Sequence, residues 1–569
     1  MSASPDPAGL QDRLDQIRSE LASIGELRPG SLTQRFLQCG KPTCRCSDPQ
    51  HPGHGPYWSL TFKSNGKTVT RSVPPHALDS TRQQIAAYQR FRSLTAEFVE
   101  LSEQLCQARL VHGKAAAAQA KKTLSERFAP DIRAEIDRFV GPDAPAKIDF
   151  EPVETAVRRT ALQLAARAVE ERLDSDLSDY CGPFRKCPDC DQPARFAGRH
   201  PKTFETVLGP LTLQRADYHC STCQHGVCPR DAALGLHATS LSPAVLRRTG
   251  STAALVSFDE SSALLAQLAG VHVETKQVER CAEALGNEIA AAESAGVFPS
   301  YAPSAPTIYL GLDGTGLPVR PSETAGRPGK QPDGSAKTRE AKLVIVWTAE
   351  SRHPKTGRPM RDPGSVSYTG AIESAASRDT DPLPSPFARR VRREAARRGF
   401  PQAQRRVVLG DGAAWIWRLA EEDYPGAIQI VDLFHTKQHL HDVSKALYPH
   451  DSDRARQWAD IRCEELDEGD LEHVLSVLRS HAATCEQAAE CAAYIDNNRD
   501  RMQYADFRAQ GLCVASGVVE SGCKTVFGTR LKRSGMHWTV QGANAIAALR
   551  CCNLSGLYED FWEYRSDRP

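Results

Sequence analysis

Residues 305–319, APTIYLGLDGTGLPV, and 405–424, RRVVLGDGAAWIWRLAEEDY, decide how this chain folds. In each, a short apolar run rich in strand formers reaches an aspartate followed by glycine: Asp313-Gly314 and Asp411-Gly412. Such runs, bounded by turn residues, predict buried strands. AKLVIVWTAES at 341–351 predicts another strand, and AIQIVDLFHTKQHL at 427–440 passes from strand to helix pattern. Strands alternating with helices indicate an α/β core. Glycine after each aspartate lets backbone and ligand approach closely at the sheet edge. Two strand-end carboxylates invite a divalent cation. Hard oxygen ligands with few neighbouring bases favour Mg²⁺ or Mn²⁺ over zinc, and paired ions would stand about 3.5 to 4 Å apart across a scissile phosphate.

A third carboxylate is then required, and Glu520, in ASGVVESGCKTVFGTRLKRSGMHW at 515–538, is the best placed. Val518 and Val519 precede it and Lys524 follows one turn later, so a helix can aim it back at the strands. The stretch between Asp411 and Glu520 is helical and rich in Ala, Glu and Arg from about 441 to 505, and reads as an insertion. Asp-Gly alone is a common turn, and Val-Glu is unremarkable in a helix. The order and spacing of the three carry the inference.

Upstream, Cys187 and Cys190 (CPDC) and Cys220 and Cys223 (CSTC) bracket about thirty residues of strand-like sequence. Two such turns joined by a hairpin bring four thiolates to a tetrahedral zinc site, a zinc ribbon. A redox role for CPDC would leave the second pair without purpose. Residues 257–294 predict two helices joined by a tight turn, with Thr275 as N-cap of the second. As a DNA-reading helix-turn-helix it would present Lys276 and Gln277, with Glu279 beside them, to a major groove; a structural helical hairpin is the rival. Nearer the start, Cys39, Cys44, Cys46 and His54, with His51 competing for the fourth place, have the soft-ligand chemistry of a small zinc knuckle, followed by a hairpin (YWSLTF, KTVTRSV). The alternative is a reduced, unliganded loop.

The 569 residues exceed one hydrophobic core, so several domains are expected, and 40% hydrophobic content is ordinary for globular protein. No apolar run is long enough to span a bilayer and no export signal opens the chain, which predicts a cytoplasmic, nucleoid-associated protein without membrane contact. The net charge of +1 gives no global basic excess, so DNA affinity must come from patches, such as RRVRREAARR at 389–398 and RLKR at 530–533. A solvated helix face is the alternative for the first. Cys106, Cys281, Cys463, Cys485, Cys491, Cys551 and Cys552 lack ligand spacing and read as apolar filler.

Three blocks, LGLDGTGLPV around Asp313, LGDGAAWIWRLAEEDYPGAIQIVDLFHTKQHL around Asp411 and VVESGCKTVFGTRLKRSGMHWTVQGANAIAALR around Glu520, resemble the DDE transposases of the bacterial insertion-sequence group often called the Kra family, distant relatives of Mutator-like transposases. The resemblance covers roughly 180–565. The N-terminal unit resembles a Cys-rich domain of unknown function found ahead of some such proteins. The family implies an RNase H-like catalytic core with a helical insertion, and a D-x2-H motif after the second aspartate that falls on Asp432 and His435. It implies metal-dependent cleavage and strand transfer on double-stranded DNA at element ends and target, by a homo-oligomer. Lys524, Arg530 and Lys532 would then hold phosphates near the metals, and Trp538 would either stack on an unpaired base or lie in the core. The expected organisation is multidomain α/β plus α: a Cys/His-rich unit (1–115), a helical linker (116–180), the zinc ribbon (181–235), the helix-turn-helix region (236–300), the first part of the core (301–440), the helical insertion (441–510) and the C-terminal part with the glutamate (511–569). The rivals are an inactive transposase-derived DNA-binding protein, an RNase H-like nuclease and, more distantly, a glycosidase using a carboxylate pair.

Overall fold

The computed structural model describes residues 7–64, 66–140, 149–236, 239–303, 305–329, 331–376, 384–515 and 517–566; the 141–148 part of the expected linker lies outside them. The chain separates into two compact units, Met1–Leu164 and Ala165–Pro569. The first unit runs past residue 115 because one helix, Leu78–Val140, carries the chain through that point.

In the first unit the helix Pro7–Ala22 lays Leu10 and Leu14 against Leu105 of that long helix. A three-stranded antiparallel sheet is built from Ser31–Leu37, His54–Ser64 and Lys67–Val73, in that order. The last two strands are the expected hairpin. Leu32, Leu60, Phe62 and Val73 form its apolar face, closed by Ile85.

The second unit opens on the end of the helix Phe150–Asp174, followed by four antiparallel strands, Phe184–Lys186, Pro193–Thr206, Gly209–His219 and Gly226–Val227, paired in chain order. The expected helix pair follows as Phe258–Leu264 and Thr275–Ser294, and a further helix, Pro243–Leu255, packs against both. Glu274, not Thr275, occupies the N-cap position of Thr275–Ser294; the Thr275 hydroxyl donates to Asp259 instead (3.3 Å). The inner face of that helix, Val278, Cys281, Ala282, Leu285 and Ile289, is buried. It closes so tightly on the helix Val540–Leu554 that a Cβ at Gly286 would stand 2.0 Å from the Ala545 carbonyl oxygen.

The core sheet comprises β1 (Thr307–Pro318), β2 (Thr338–Thr348), β3 (Ser367–Ala371), β4 (Arg405–Gly410) and β5 (Ile428–Val431) in the order β3-β2-β1-β4-β5. β1, β2 and β3 are antiparallel neighbours, whereas β4 runs parallel to β1 and β5 parallel to β4. Residues 341–348 of β2 are continuously buried because both faces of the sheet are covered, which is why that strand reads as an unbroken apolar run. After β5 the chain makes helices Leu433–Leu447, Ser452–Glu468, Leu471–His481, Glu486–Asn497 and Tyr504–Ala509 before returning to the sheet. Among the described residues no helix is long and apolar enough to cross a membrane.

Half of the arginines in the basic run 389–398 are paired within the fold. The run lies mostly on the helix Pro386–Arg397, which turns Arg390 and Arg397 inward. Arg390 binds Glu293 (3.0 Å) and Glu373 (2.7 Å), Arg397 binds Glu394 (2.7 Å), and Arg392 pairs with Asp423. Carboxylates from four segments neutralise these charges within the fold, which a count of arginines along the sequence does not reveal.

Candidate active site

The parallel register sets Leu312 beside Gly410, and Gly410 beside Val431. The next residue on each strand is an aspartate, so Asp313, Asp411 and Asp432 form a row across three adjacent parallel strands, just past the ends of β4 and β5 and within β1. Asp313 is not a strand terminus. β1 continues to Pro318 because its antiparallel pairing with β2 persists after the parallel partner β4 has stopped at Gly410. The Asp313 carboxylate accepts the Gly314 amide (2.7 Å), and that of Asp411 accepts the Ala413 amide (3.0 Å). Asp313 is held above the ordinary carboxylate range, first by burial and further by the charge of Asp411. An anionic pair that resists full ionisation is one a cation would stabilise.

Asp432 serves the fold directly. Its carboxylate caps the helix Leu433–Leu447 by accepting the amides of Phe434 (2.7 Å) and His435 (3.4 Å). His435, in the first turn of that helix, is exposed, and its ring meets His439 edge-on at 4.8 Å. His439 in turn lies 4.5 Å from Tyr494, whose hydroxyl donates to the backbone carbonyl of Asp411 (2.7 Å). The positive φ of Gly412 (96°) leaves room for that tyrosine: a Cβ there would stand 2.6 Å from the ring. Sequence patterns do not point to Tyr494 or His439, because both sit on helix faces whose neighbours come from distant segments.

Glu520 lies on the helix Gly517–Cys523, which packs over β1 and β2. Val519 reaches Gly311, two residues before Asp313 on the same face of β1, and Cys523 hydrogen-bonds the Asp313 side chain. Glu520 itself stands at the rim, 61% exposed and paired with Lys524 at 2.6 Å. Among the described residues, the groups of three or more metal-ligating side chains drawn within 4.8 Å of one another are the two cysteine clusters, and the Asp313, Asp411 and Glu520 set is not one of them. The structure therefore brings the two aspartates together and places the glutamate's helix over them without closing the third carboxylate on the pair.

The four residues expected at phosphates or bases divide. Lys532 is exposed and donates to Thr315, two residues beyond Asp313, while Lys524 holds Glu520. Arg530 is fully buried: its Nε donates to the Ala253 carbonyl (2.9 Å), and the guanidinium lies 4.6 Å from the Phe258 ring and 5.4 Å from that of Trp538. It cannot reach DNA. Trp538 is likewise core, with its indole N–H donated to Leu531 (2.9 Å), so no base can stack on it. The two face inward because the helical turn after Glu520 packs against the helices of 243–264. Of the expected groove-reading residues, Lys276 is exposed but paired with Glu279 (2.6 Å), and Gln277 donates to Ser240 (3.0 Å).

Both cysteine clusters are assembled. Cys187, Cys190, Cys220 and Cys223 converge with sulfur separations of 3.5 to 3.6 Å. Cys39, Cys44, Cys46 and His54 converge as well, with His54 Nε2 2.9 Å from the Cys44 sulfur. His51 is excluded: its Nδ1 accepts the Gly53 amide (3.1 Å). Each set offers four soft donors at one point and can hold a metal ion.

Residues 400–565 match the Uncharacterised protein family (UPF0236), and residues 8–83 match a Domain of unknown function (DUF6788). No curated protein matches the chain. Among solved structures it is similar to the "Drosophila P element transposase strand transfer complex", at 10% identity over 59% of this chain and 84% of that one, with a TM-score of 0.23.

Proposed function

We propose that the chain is a DDE-type DNA transposase with an RNase H-like core, acting by metal-dependent cleavage and strand transfer. The observation that carries this reading is the placement of Asp313 and Asp411 side by side on neighbouring parallel strands of a β3-β2-β1-β4-β5 sheet. A helical segment followed by a glutamate-bearing helix packed on β1 supports it.

The donor chemistry fits magnesium or manganese: two carboxylates in register, one kept from ionising freely by burial and by the charge of the other. Asp313 and Asp411 would hold the ion, with Glu520 as third ligand on release from Lys524. A divalent ion there supplies an activated nucleophile and neutralises charge on the leaving oxygen. Gly314 and Ala413 amides hold the aspartates, Tyr494 fixes the Asp411 backbone, and Lys532 lies where a phosphate beside Asp313 would need a cation. His435 is free to orient a phosphate at the mouth of the site. Zinc is the fitting occupant of both cysteine clusters, making 187–223 a zinc ribbon. DNA at the element's ends and at the target is the partner this chemistry requires.

The test incubates the purified protein with Mg²⁺ or Mn²⁺ and DNA spanning the gene's own flanks, beside Asp411→Asn and Glu520→Gln. Metal-dependent breaks at defined ends with joined products, absent in both variants while DNA binding persists, are expected. Breaks without joining would make the chain a nuclease. Site-specific binding without breaks would leave it a DNA-binding protein.

A further inference from the structure

The three-stranded sheet of the first unit has a second face with no task assigned to it. Directly paired residues of antiparallel strands share a face. The register thus sets Arg35 beside Tyr57, Thr33 beside Ser59 and Ser72, Ser31 beside Thr61 and Thr70, and Lys63 beside Thr68. These paired positions carry hydroxyls, two cations and one half-exposed aromatic ring; Leu32, Leu60, Phe62 and Val73 lie on the other side, against Ile85.

A polar outer face is ordinary for an antiparallel sheet, but a solvated surface normally mixes both signs of charge. Here it does not. Residues 27–78 contain seven cations, Arg28, Arg35, Lys41, Arg45, Lys63, Lys67 and Arg71, against one acid, Asp48. The remainder of the chain holds 64 Lys and Arg against 69 Asp and Glu, so the near-neutral total conceals a basic module on an acidic protein. All seven cations are exposed, with Arg35 and Lys63 on this face and Lys67 and Arg71 on the other. The ion pairs shown among the described residues of this unit are formed by other residues, such as Arg13, Arg18, Arg82 and Arg90. The Cys39, Cys44, Cys46 and His54 cluster sits at one end of the same strands, where Leu37 pairs with His54, and fixes the sheet's edge.

We propose that this face is a docking surface for the phosphate backbone of DNA. Arginine and lysine supply charge, and serine and threonine hydroxyls donate to phosphate oxygens without reading sequence. Tyr57, 49% exposed, offers a ring to an unpaired base. Arg35 pairs with Tyr57, and Lys63 lies six residues further along that strand, which at about 3.3 Å per residue puts the two charges roughly 20 Å apart. That distance spans about six nucleotides of one DNA strand. The proposal makes no use of Asp313, Asp411 or Glu520, and it stands or falls independently of catalysis.

The test measures binding of the full chain to a labelled duplex of arbitrary sequence, and to one of its single strands, across a salt series without magnesium, so that cleavage cannot contribute. Two variants are compared with the wild type: Arg35→Gln with Lys63→Gln, and Arg35→Lys with Lys63→Arg. The glutamine pair is expected to weaken binding at least tenfold at low salt and to reduce the slope of log affinity against log salt by about two, one for each phosphate left without its cation. The charge-conserving pair should keep the wild-type slope and so shows that the sheet itself is intact. An unchanged slope in the glutamine pair, or equal losses in both pairs, overturns the proposal. Displacement of the duplex by polyglutamate more readily than by unlabelled DNA also overturns it, in favour of an acidic protein partner.

Discussion

Gly311 is the clearance between β1 and the helix that carries Glu520, and replacing it with alanine tests whether that helix is held where the proposed catalysis needs it. A methyl group there would stand 2.4 Å from Val519 Cγ2 and 2.8 Å from the nearest atom of the Trp347 ring. Non-bonded carbons settle at about 3.5 to 4.0 Å, so the Gly517–Cys523 helix has to retreat by on the order of 1 Å. Overpacking of this kind costs about 1–3 kcal/mol. A displacement of that size at a reacting group costs about a hundredfold in rate. Gly311→Ala is therefore expected to lower stability by about 2 kcal/mol in denaturant titration and to reduce metal-dependent cleavage far more than DNA binding. Val519→Ala in the same background removes the closer clash and leaves the Trp347 clash in place, so rescue should be partial. The double variant should be more stable than the sum of the singles by at least about 1 kcal/mol. Stability of Gly311→Ala within about 0.5 kcal/mol of the wild type, or strict additivity in the cycle, would refute the reasoning.

Metal analysis of the purified chain should find two equivalents of zinc, with one lost in Cys220→Ser and the other in Cys44→Ser. Retention of both ions by either variant would dissolve the corresponding site. Arg530→Met should lower the melting temperature, because the Ala253 carbonyl loses its buried donor, yet leave the salt dependence of DNA binding unchanged; a shallower slope would return this arginine to the DNA surface. Glu260 is held at about 2, against an ordinary 4.5, first by the hydrogen bond from Arg533. A depressed carboxylate stabilises the fold above its unfolded value, so the stability difference between wild type and Glu260→Gln should be constant above about 4.5 and fade as pH drops toward about 2. A difference that persists unchanged to the acid end of that window would show that Arg533 is not its source.

What the sequence disclosed and what it hid follow from the range of the interactions. The apolar runs around Asp313 and Asp411 and the two C-x2-C pairs are local patterns, and both the strands and the four-sulfur cluster are where those patterns point. β3, a five-residue strand after a Gly/Pro/Ser-rich stretch, gives no such signal, since its pairing with β2 is set across the sheet. Charge misled most. RRVRREAARR and Arg530 look like phosphate ligands in one dimension, yet their partners, Glu293, Glu373 and the Ala253 carbonyl, lie as many as 277 residues away. The true basic surface, around Arg35 and Lys63, is dilute along the chain and becomes visible only when pairing puts alternate residues on one face.

Immediately after the Glu520 helix the backbone makes a π turn, Lys524–Gly528, before the short helix Thr529–Leu531. Downstream, Arg530 and Trp538 bolt the chain into the core. The direction in which Glu520 points is thereby set by the number of residues between a fixed anchor and a movable vane. Each residue of a helix turns its neighbours by about 100°, so deleting one residue within 525–528 would swing Glu520 around the helix axis, and Val519 and Cys523 with it, while leaving the two aspartates in place. Aim at this centre is tuned by insertion and deletion, a kind of change that no substitution scan would sample.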